Sequence, residues 1–475
     1  DKKLFTRTLM VYDSSAYKKD SAYWAMTRPV ALEPEEKRDY IFKDSVQKLS
    51  HVSMSGRELD SMRKHSNSFK LRDFLFTGIN WHYTHPRNIL VYSISPLIKE
   101  TEYNTVEGLS ISFVPSLSIK PKESSTTYTV TSDNRYGFSN EHFNSFLTLH
   151  VEKGGKRFRK WEADFSGGKR IIQFNHDEPI DPFSNTLYTL LVKKNYMKLY
   201  ENWFGQFSFT NSYENGWKWN VNSVFEDRIP LENSTDYSFY KKEREFLPNH
   251  PYELETIPFF RHKALVAGAS ISWQPKQYYI QYPTYKESIG STAPVYTIEY
   301  EKGFPDVFDS RVNFDKWKFS IAGQVNFKLR GNFKYRLITG GFLNRKDVEI
   351  PDMQHFNGNQ TFYNFKYLNS FQLAPYYRYS NTEKIYGLVH AEHHFNGLLT
   401  NKIPLFNRLN WHLVAGTNTF FVNSNNYYAE VFAGLENILK IFRIDFITAY
   451  QAAPGNTFGV RIGLGSILEK VVQAK

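Results

Sequence analysis

From Lys384 to Leu464, apolar and polar positions alternate along the chain. Between Phe442 and Tyr450 one set reads Phe442, Ile444, Phe446, Thr448, Tyr450, and the other carries Arg443 and Asp445. Tyr427, Ala429, Val431, Ala433 and Leu435 oppose Glu430 and Gly434, while Phe458, Val460, Ile462 and Leu464 oppose Gly459, Arg461 and Gly463. Alternation is the strand signature, because successive side chains leave opposite faces of a sheet. The links at 422–426, 436–440 and 451–457 are short, as antiparallel hairpins require.

Strands that are apolar on one face and polar on the other suit a water-soluble sandwich or a membrane barrel. Ring placement separates the two, since a lipid-facing strand carries aromatics at both ends and smaller or aliphatic residues between. Trp411, Leu413, Ala415, Thr417, Thr419 and Phe421 follow that order. So do Trp317, Phe319, Ile321, Gly323, Val325 and Phe327, opposite Lys318, Ser320, Gln324, Asn326 and Lys328. The pattern predicts an all-β fold, a transmembrane antiparallel β-barrel of roughly fourteen to sixteen strands. Sixteen is the expected number, because an even count keeps both chain ends on one side.

Upstream, Leu4–Tyr12 reads as the last strand of something preceding it. Glu33-Pro34-Glu35-Glu36 opens a charged helix to about Leu49, with proline and acidic residues in its first turn. A second short helix is expected over Gly56–Lys64, and 1–67 is read as a helical appendage on the aqueous side. The barrel is expected over 68–465, with its strand pattern starting at Phe69 and a tail at 466–475. Pro115, inside the alternating run 109–119, removes a ladder donor and marks a bulge or a weakly paired site. Phe143–Val151 and Arg157–Phe165 form a hairpin around Gly154-Gly155. Asn185–Asn202 reads as a helical excursion, a docking element, a plug or a structural cap. Trp203–Tyr213 and Trp217–Glu226 form a hairpin at Asn215-Gly216. Long irregular stretches are expected at Asp227–His262 and Leu343–Asn369.

Composition sharpens this picture. The chain has 475 residues, of which 17% are aromatic, with 40 Phe and 32 Tyr. Yet mean hydropathy is −0.52, and no run approaches the ~18 apolar residues of a spanning helix. With no cysteine, a disulfide framework or thiolate metal site is excluded. The net charge of +11 is spread along strands and turns and not gathered in one helix, which argues against nucleic-acid binding. A basic lumen, or anionic lipid headgroups, accounts for it better. No apolar signal segment opens the sequence.

Candidate chemistry is sparse. His390, Glu392 and His394 share one strand face with His393 opposite, an arrangement like part of a divalent-metal cluster. One strand spaces such ligands too widely for a tetrahedron, so the expectation is a polar lumen or rim, with no metal and no cofactor. Asp177, Glu178, Asp306 and Asp309 read as solvated loop carboxylates. No nucleophile elbow, phosphate loop or dinucleotide fingerprint is present. Lys156 and Lys169 follow glycine pairs but lack the rest of a phosphate loop. No catalytic set emerges, so the chain is read as no enzyme. Tyr23, Trp24, Arg28 and Tyr40 are the candidates for partner binding on the appendage.

Several phrases go beyond composition. They are Tyr23-Trp24 with Arg28-Pro29-Val30 and Tyr40; Tyr103-Asn104-Thr105-Val106-Glu107-Gly108; Asn185 to Leu191 with Asn195 to Tyr200; Arg228 to Asn233; Pro351-Asp352 with His355-Phe356-Asn357-Gly358-Asn359; Glu392 to Gly397; Asn401 to Leu405, with Pro404; and Glu436-Asn437-Ile438 with Arg443 to Phe446. Together they resemble an outer-membrane barrel family of Bacteroidetes of unknown function, whose members are also called carboxypeptidase-like regulatory domain-containing proteins. The resemblance implies the C-terminal barrel part, residues 1–67 closing a truncated periplasmic region, and no peptidase activity. The closing strands also distantly resemble the BamA/TamA-type assembly barrels. That superfamily's Arg-Gly-Phe signature has no counterpart, since His355 to Asn359 lacks the arginine, and the chain does not end on an aromatic. The expected role is an accessory subunit of a Gram-negative envelope complex that assembles or exports outer-membrane proteins or surface lipoproteins. Its partners would be outer-membrane lipid and other envelope proteins. A solute pore is the first alternative, and a barrel enzyme with a loop-borne site the second.

Overall fold

The structure is a computed structural model that describes residues 6–12, 23, 26–28, 32–50, 67–154, 159–239, 243–282, 286–364, 367–451 and 455–464. Strands dominate. Among the described residues the α-helices are α1 (Pro34–Ser50), α2 (Pro182–Val192) and α3 (Pro404–Leu409). None is long and apolar enough to cross a membrane.

The first half of the chain contributes β1 (Thr6–Val11), β2 (Ile79–Thr84), β3 (Asn88–Ile94), β4 (Thr101–Asn104), β5 (Gly108–Phe113), β6 (Pro115–Pro121), β7 (Thr126–Gly137), β8 (Phe143–Lys153), β9 (Arg159–Gln173), β10 (Leu199–Tyr213) and β11 (Trp217–Pro230). The second contributes β12 (His262–Trp273), β13 (Gln277–Gln281), β14 (Lys286–Gly290), β15 (Val295–Gly303), β16 (Asn313–Asn326), β17 (Asn332–Asp347), β18 (Tyr363–Asn364), β19 (Tyr386–His394), β20 (His412–Asn423), β21 (Asn426–Ile438), β22 (Phe442–Gln451) and β23 (Thr457–Leu464). One antiparallel meander runs β2, β3, β6, β7 and on through β12, β15, β16, β17 and β19 to β23. One end of this sheet carries tight turns, such as 85–87, 214–216 and 327–331, and the other carries the long loops 174–198, 231–261 and 348–385.

The faces of the sheet are inverted relative to a soluble protein. On β22, Arg443, Asp445, Ile447 and Ala449 are buried, whereas Phe446 and Tyr450 are 52% and 46% exposed. On β21, Glu430 is fully buried while the next residue, Val431, is 53% exposed. Burying charge while leaving rings and aliphatics outside is unfavourable in water unless lipid covers the outer face. Rings gather near both rims of that face. Trp217 stacks on Trp273 at 5.3 Å at the short-turn end, and Phe225 meets Phe308 edge-on at 5.8 Å at the other. Two residues beyond Phe225, Asp227 pairs with Arg261 at 2.6 Å, so charge resumes where the apolar band stops.

Other segments of the chain meet the edges of the meander. Asn67 donates to the carbonyl of His82 and accepts from its N–H, both at 3.0 Å, mimicking a strand on the outer edge of β2. The inward segment β18 lies parallel to β23, and the Ile462 N–H donates to the Phe362 carbonyl at 2.9 Å. Among the described residues, no ladder links β2 or β3 to β23.

Several expectations need correction. Thr6–Val11 pairs in parallel with β13, which pairs with β14, so this strand belongs to a small sheet with a hairpin of the β12–β15 link. Residues 71–77 are helical, and the first meander strand starts at Ile79. The excursion read as Asn185–Asn202 is α2, shifted upstream. Asp181 caps its start by accepting from the Ser184 N–H, and Lys193, in the left-handed region, ends it. Extended chain follows, because the Asn185 side-chain Oδ1 accepts from the Tyr196 and Met197 N–H groups, both at 3.0 Å. β11 continues to Pro230, past the expected loop start at Asp227, and β17 continues to Asp347, past Leu343. Pro115 divides one path into β5 and β6, both of which pair with β7. The expected helix at Gly56–Lys64, Trp24, Lys156 and the tail at 466–475 lie outside the described residues.

Candidate functional site: a polar seal beneath the long loops

The long loops fold back into the space enclosed by the sheet and meet its buried polar side chains. Glu226 and Arg228 alternate on β11 and therefore share one face. Arg228 donates through both η nitrogens to Asp352, at 2.6 and 2.8 Å, and through Nε to Glu226 at 2.8 Å. Glu226 also accepts from Asn202 at 2.5 Å and pairs with Arg170 at 3.2 Å. A fully buried guanidinium is tolerable only when its donors are matched this way. Asp352 closes a tight helical turn begun by Ile350-Pro351, so the loop enters with its carboxylate aimed at β11.

Beside this pair lies a cavity of about 320 Å³. Strand residues Gln206, Asn222, Glu299 and Lys318 face it, together with loop residues His176 and His355. Lys318 and Glu299 are cross-strand neighbours paired at 2.6 Å. His355 bonds the Ile350 carbonyl at 2.9 Å and Ser380 Oγ at 2.7 Å. Burial, aided by the nearby Lys316 charge, pushes its pKa down to about 3. His176, 2.9 Å from the Tyr200 hydroxyl, is lowered by burial too.

A second cradle surrounds Glu430. Its carboxylate accepts from the N–H groups of Gln372 (2.7 Å) and Leu373 (3.2 Å), from Asn418 (2.6 Å) and from the Tyr428 hydroxyl (2.8 Å). The loop is thereby tied to β20 and β21. Phe356 stacks on Phe420 at 4.3 Å, and Phe371 meets Phe420 edge-on at 5.2 Å.

The face carrying His390, Glu392 and His394 is committed to protein partners. His390 bonds Asn418 at 2.8 Å, and Glu392 accepts from Arg443 at 2.9 Å. His394 bonds Glu392 at 3.0 Å and Glu436 at 2.8 Å. Arg443 also pairs with Asp445 at 2.9 Å and lies 4.1 Å over the Tyr367 ring. Among the described residues, no group of three or more His, Asp or Glu side chains is placed to hold a metal ion.

The phrase Tyr103 to Gly108 forms the tip of the β4–β5 hairpin. Asn104 Oδ1 accepts from the Val106 and Glu107 N–H groups, at 2.9 and 2.8 Å, and its amide donates to Glu107 at 2.8 Å. Gly108 sits at φ +64°, where a Cβ would collide with Ser139. Fully buried Glu107 accepts a forked contact from Arg135, which also reaches Glu102 at 2.9 Å. The tip locks onto two other quoted phrases, since Thr105 bonds Asn233 at 2.6 Å and Asn195 at 2.7 Å. Asn357 accepts from Asn175 at 2.9 Å, Asn359 donates to the Tyr363 carbonyl at 2.8 Å, and between them a Cβ on Gly358 would strike the Ala374 carbonyl.

The remaining candidates lie apart from this network. Arg28 donates to the Tyr40 hydroxyl at 3.0 Å and covers its ring at 5.1 Å; Tyr23 and Tyr40 are exposed. Pro404 is the first residue of α3, on the link between β19 and β20. Sequence reasoning missed Glu226, Arg170, Asn202 and Arg135. Glu226 carried a usable signal, a charge two positions before Arg228 on a strand otherwise rich in aromatics. In chemical terms Glu226, Glu392 and Asp445 each hold an arginine, and Glu430 holds loop N–H groups.

Residues 72–435 match the profile described as the C-terminal domain of a family of unknown function, DUF5686. The chain belongs to that family. No curated protein matches it in sequence. Among solved structures it is similar to BamA from Haemophilus ducreyi lacking POTRA domains 1–3, at 8% identity and TM-score 0.40, over 97% of this chain and 84% of that one. CdiB from Acinetobacter baumannii is similar at 10% identity and TM-score 0.34, over 80% of this chain and 60% of that one. The chain thus spans 60% of the length of that CdiB. CdiB from Escherichia coli is similar at 10% identity and TM-score 0.35, over 97% and 76%.

Proposed function

We propose that this DUF5686 member is a transmembrane β-barrel of a Gram-negative outer membrane. In this reading it serves as an accessory subunit of an envelope complex that assembles or exports outer-membrane proteins or surface lipoproteins. The observation that carries the membrane reading is the inverted sheet, with Arg443, Asp445 and Glu430 buried while Phe446, Tyr450 and Val431 lie on the outside. The meander counts sixteen strands from β3 to β23 when β5 and β6 count as one, and seventeen with β2, which occupies the outer edge of β3. The short-turn end and the N-terminal segment would face the periplasm.

The accessory role draws support from the two meander edges. Among the described residues β2 is met by Asn67 and β23 by Phe362 to Asn364, and no ladder joins one edge to the other. Such a seam can separate without breaking a strand ladder, which suits handling of other envelope components without covalent chemistry. The loops that fill the enclosed space oppose the solute-pore reading, and carboxylates already held by cations and N–H groups oppose a loop-borne enzyme. A mild-detergent pull-down from native membranes, analysed by mass spectrometry, tests the role. A stable set of envelope proteins is expected, released by Tyr23→Ala/Tyr40→Ala while the barrel remains heat-modifiable. A barrel recovered alone contradicts the accessory reading and leaves solute passage to be measured by single-channel conductance.

A further inference from the structure

We propose that the short-turn end carries a basic collar that docks onto the phosphate headgroups of an anionic phospholipid leaflet, an inference that rests on the barrel reading above. Four of the turns at this end, with the last residue of β8, present Arg87, Lys122, Lys153, Lys328, Arg330 and Lys440, all exposed. None of the six has a carboxylate within ion-pair distance among the described residues. The opposite rim differs. There Arg261 pairs with Asp227 (2.6 Å), Lys263 with Asp309 (2.8 Å), Lys302 with Asp315 (2.8 Å) and Arg345 with Glu383 (3.1 Å).

These four long-loop cations are neutralised within the protein, whereas the six at the short-turn end are left for an external anion. Their height fits a headgroup. Phe327 immediately precedes Lys328, and Tyr83, in edge contact with Tyr92 at 5.7 Å, lies close before Arg87. Rings of this kind settle at the boundary between acyl chains and headgroups, and a Lys or Arg just beyond extends its charge to the phosphate plane. The six cations ring the end instead of clustering, which matches a continuous leaflet better than one acidic protein. Attraction of this type adds per cation and weakens with salt.

The test titrates detergent-purified protein with phosphatidylglycerol and with phosphatidylcholine and counts retained lipid by native mass spectrometry. Wild type is expected to prefer phosphatidylglycerol by at least about tenfold, with the preference shrinking as salt rises. R87Q/K122Q/K153Q/K328Q/R330Q/K440Q should lose the preference yet keep its heat-shifted band. K194Q/K346Q/K384Q, at the long-loop end, should behave as wild type. Preference retained by the sixfold variant, or abolished by the threefold one, overturns the collar. So does displacement of the lipid by an acidic soluble polypeptide, which would assign these turns to a protein partner. A heat-shifted wild type indifferent to headgroup charge overturns the collar alone, whereas a wild type with no heat-shifted band overturns the barrel reading and the collar with it.

Discussion

Arg228 and Asp352 stand 124 residues apart in sequence and share two parallel hydrogen bonds, at 2.6 and 2.8 Å, inside the sheet. The pair ties the long loop 348–385 to β11. Removing one partner leaves the other charged and buried, at a cost of about 3–5 kcal/mol. Asp352→Asn is expected to lower the temperature at which the folded band disappears on gels and to open 348–385 to protease. A variant with unchanged thermal resistance and unchanged cleavage shows that the loop is held elsewhere.

Acid should loosen the same loop. The folded-state pKa of His355 is about 3 against 6.5 for an ordinary histidine, so between these values the unfolded chain binds a proton that the folded one refuses. The contribution is fully present above about pH 6.5 and falls as pH drops toward 3, by at most ~1.4 kcal/mol per pH unit. Thermal resistance measured from pH 7 to pH 4 should decline, and His355→Gln should flatten the decline. Equal slopes for the two proteins would remove His355 from the account.

Glu430 makes a more local prediction. Glu430→Ala strips the acceptor from the N–H groups of Gln372 and Leu373, and each stranded donor costs about 1–3 kcal/mol. Hydrogen exchange at 372–373 should accelerate by at least about tenfold, while exchange at β8 and β9, remote from this cradle, stays as in wild type. Unchanged exchange at 372–373 contradicts the cradle.

At Gly108 the backbone angle of +64° and the nearby Ser139 side chain both exclude a Cβ. Gly108→Ala is expected to destabilise the hairpin tip by roughly 1–2 kcal/mol, read as earlier proteolysis near 105–108. Asn104→Ala, which removes three hydrogen bonds around the same turn, should act in the same direction.

The alternation at Phe442–Tyr450 and Tyr427–Leu435 made the strands legible, because each side chain's face follows from its parity alone. Parity does not say which face is wet; ring placement along the strands points outward, and the burial of Arg443 with the exposure of Phe446 agrees with it. The quoted phrases located much of the polar seal: Asn104, Asn195, Arg228, Asp352 and Asn357 all belong to it. Their pairing was not legible, since Arg228 meets Asp352 and Thr105 meets Asn195 through tertiary folding that no local period encodes. The end of α2 was misplaced for the same reason. Leu190 and Leu191 continue a helical rhythm, and it is the bond donated by the Tyr196 N–H to Asn185 Oδ1 that turns the chain away.

The most direct test of the membrane reading uses the absence of cysteine. Single cysteines placed at each position from Arg443 to Tyr450 and spin-labelled in lipid vesicles report contact with oxygen, which concentrates in acyl chains, and with a water-soluble nickel complex. Labels at Ile444, Phe446, Thr448 and Tyr450 are predicted to meet oxygen and not nickel, and labels at Arg443, Asp445, Ile447 and Ala449 to meet little of either. Nickel contact at Ile444, Phe446, Thr448 and Tyr450 alike would place that face in water and contradict the barrel.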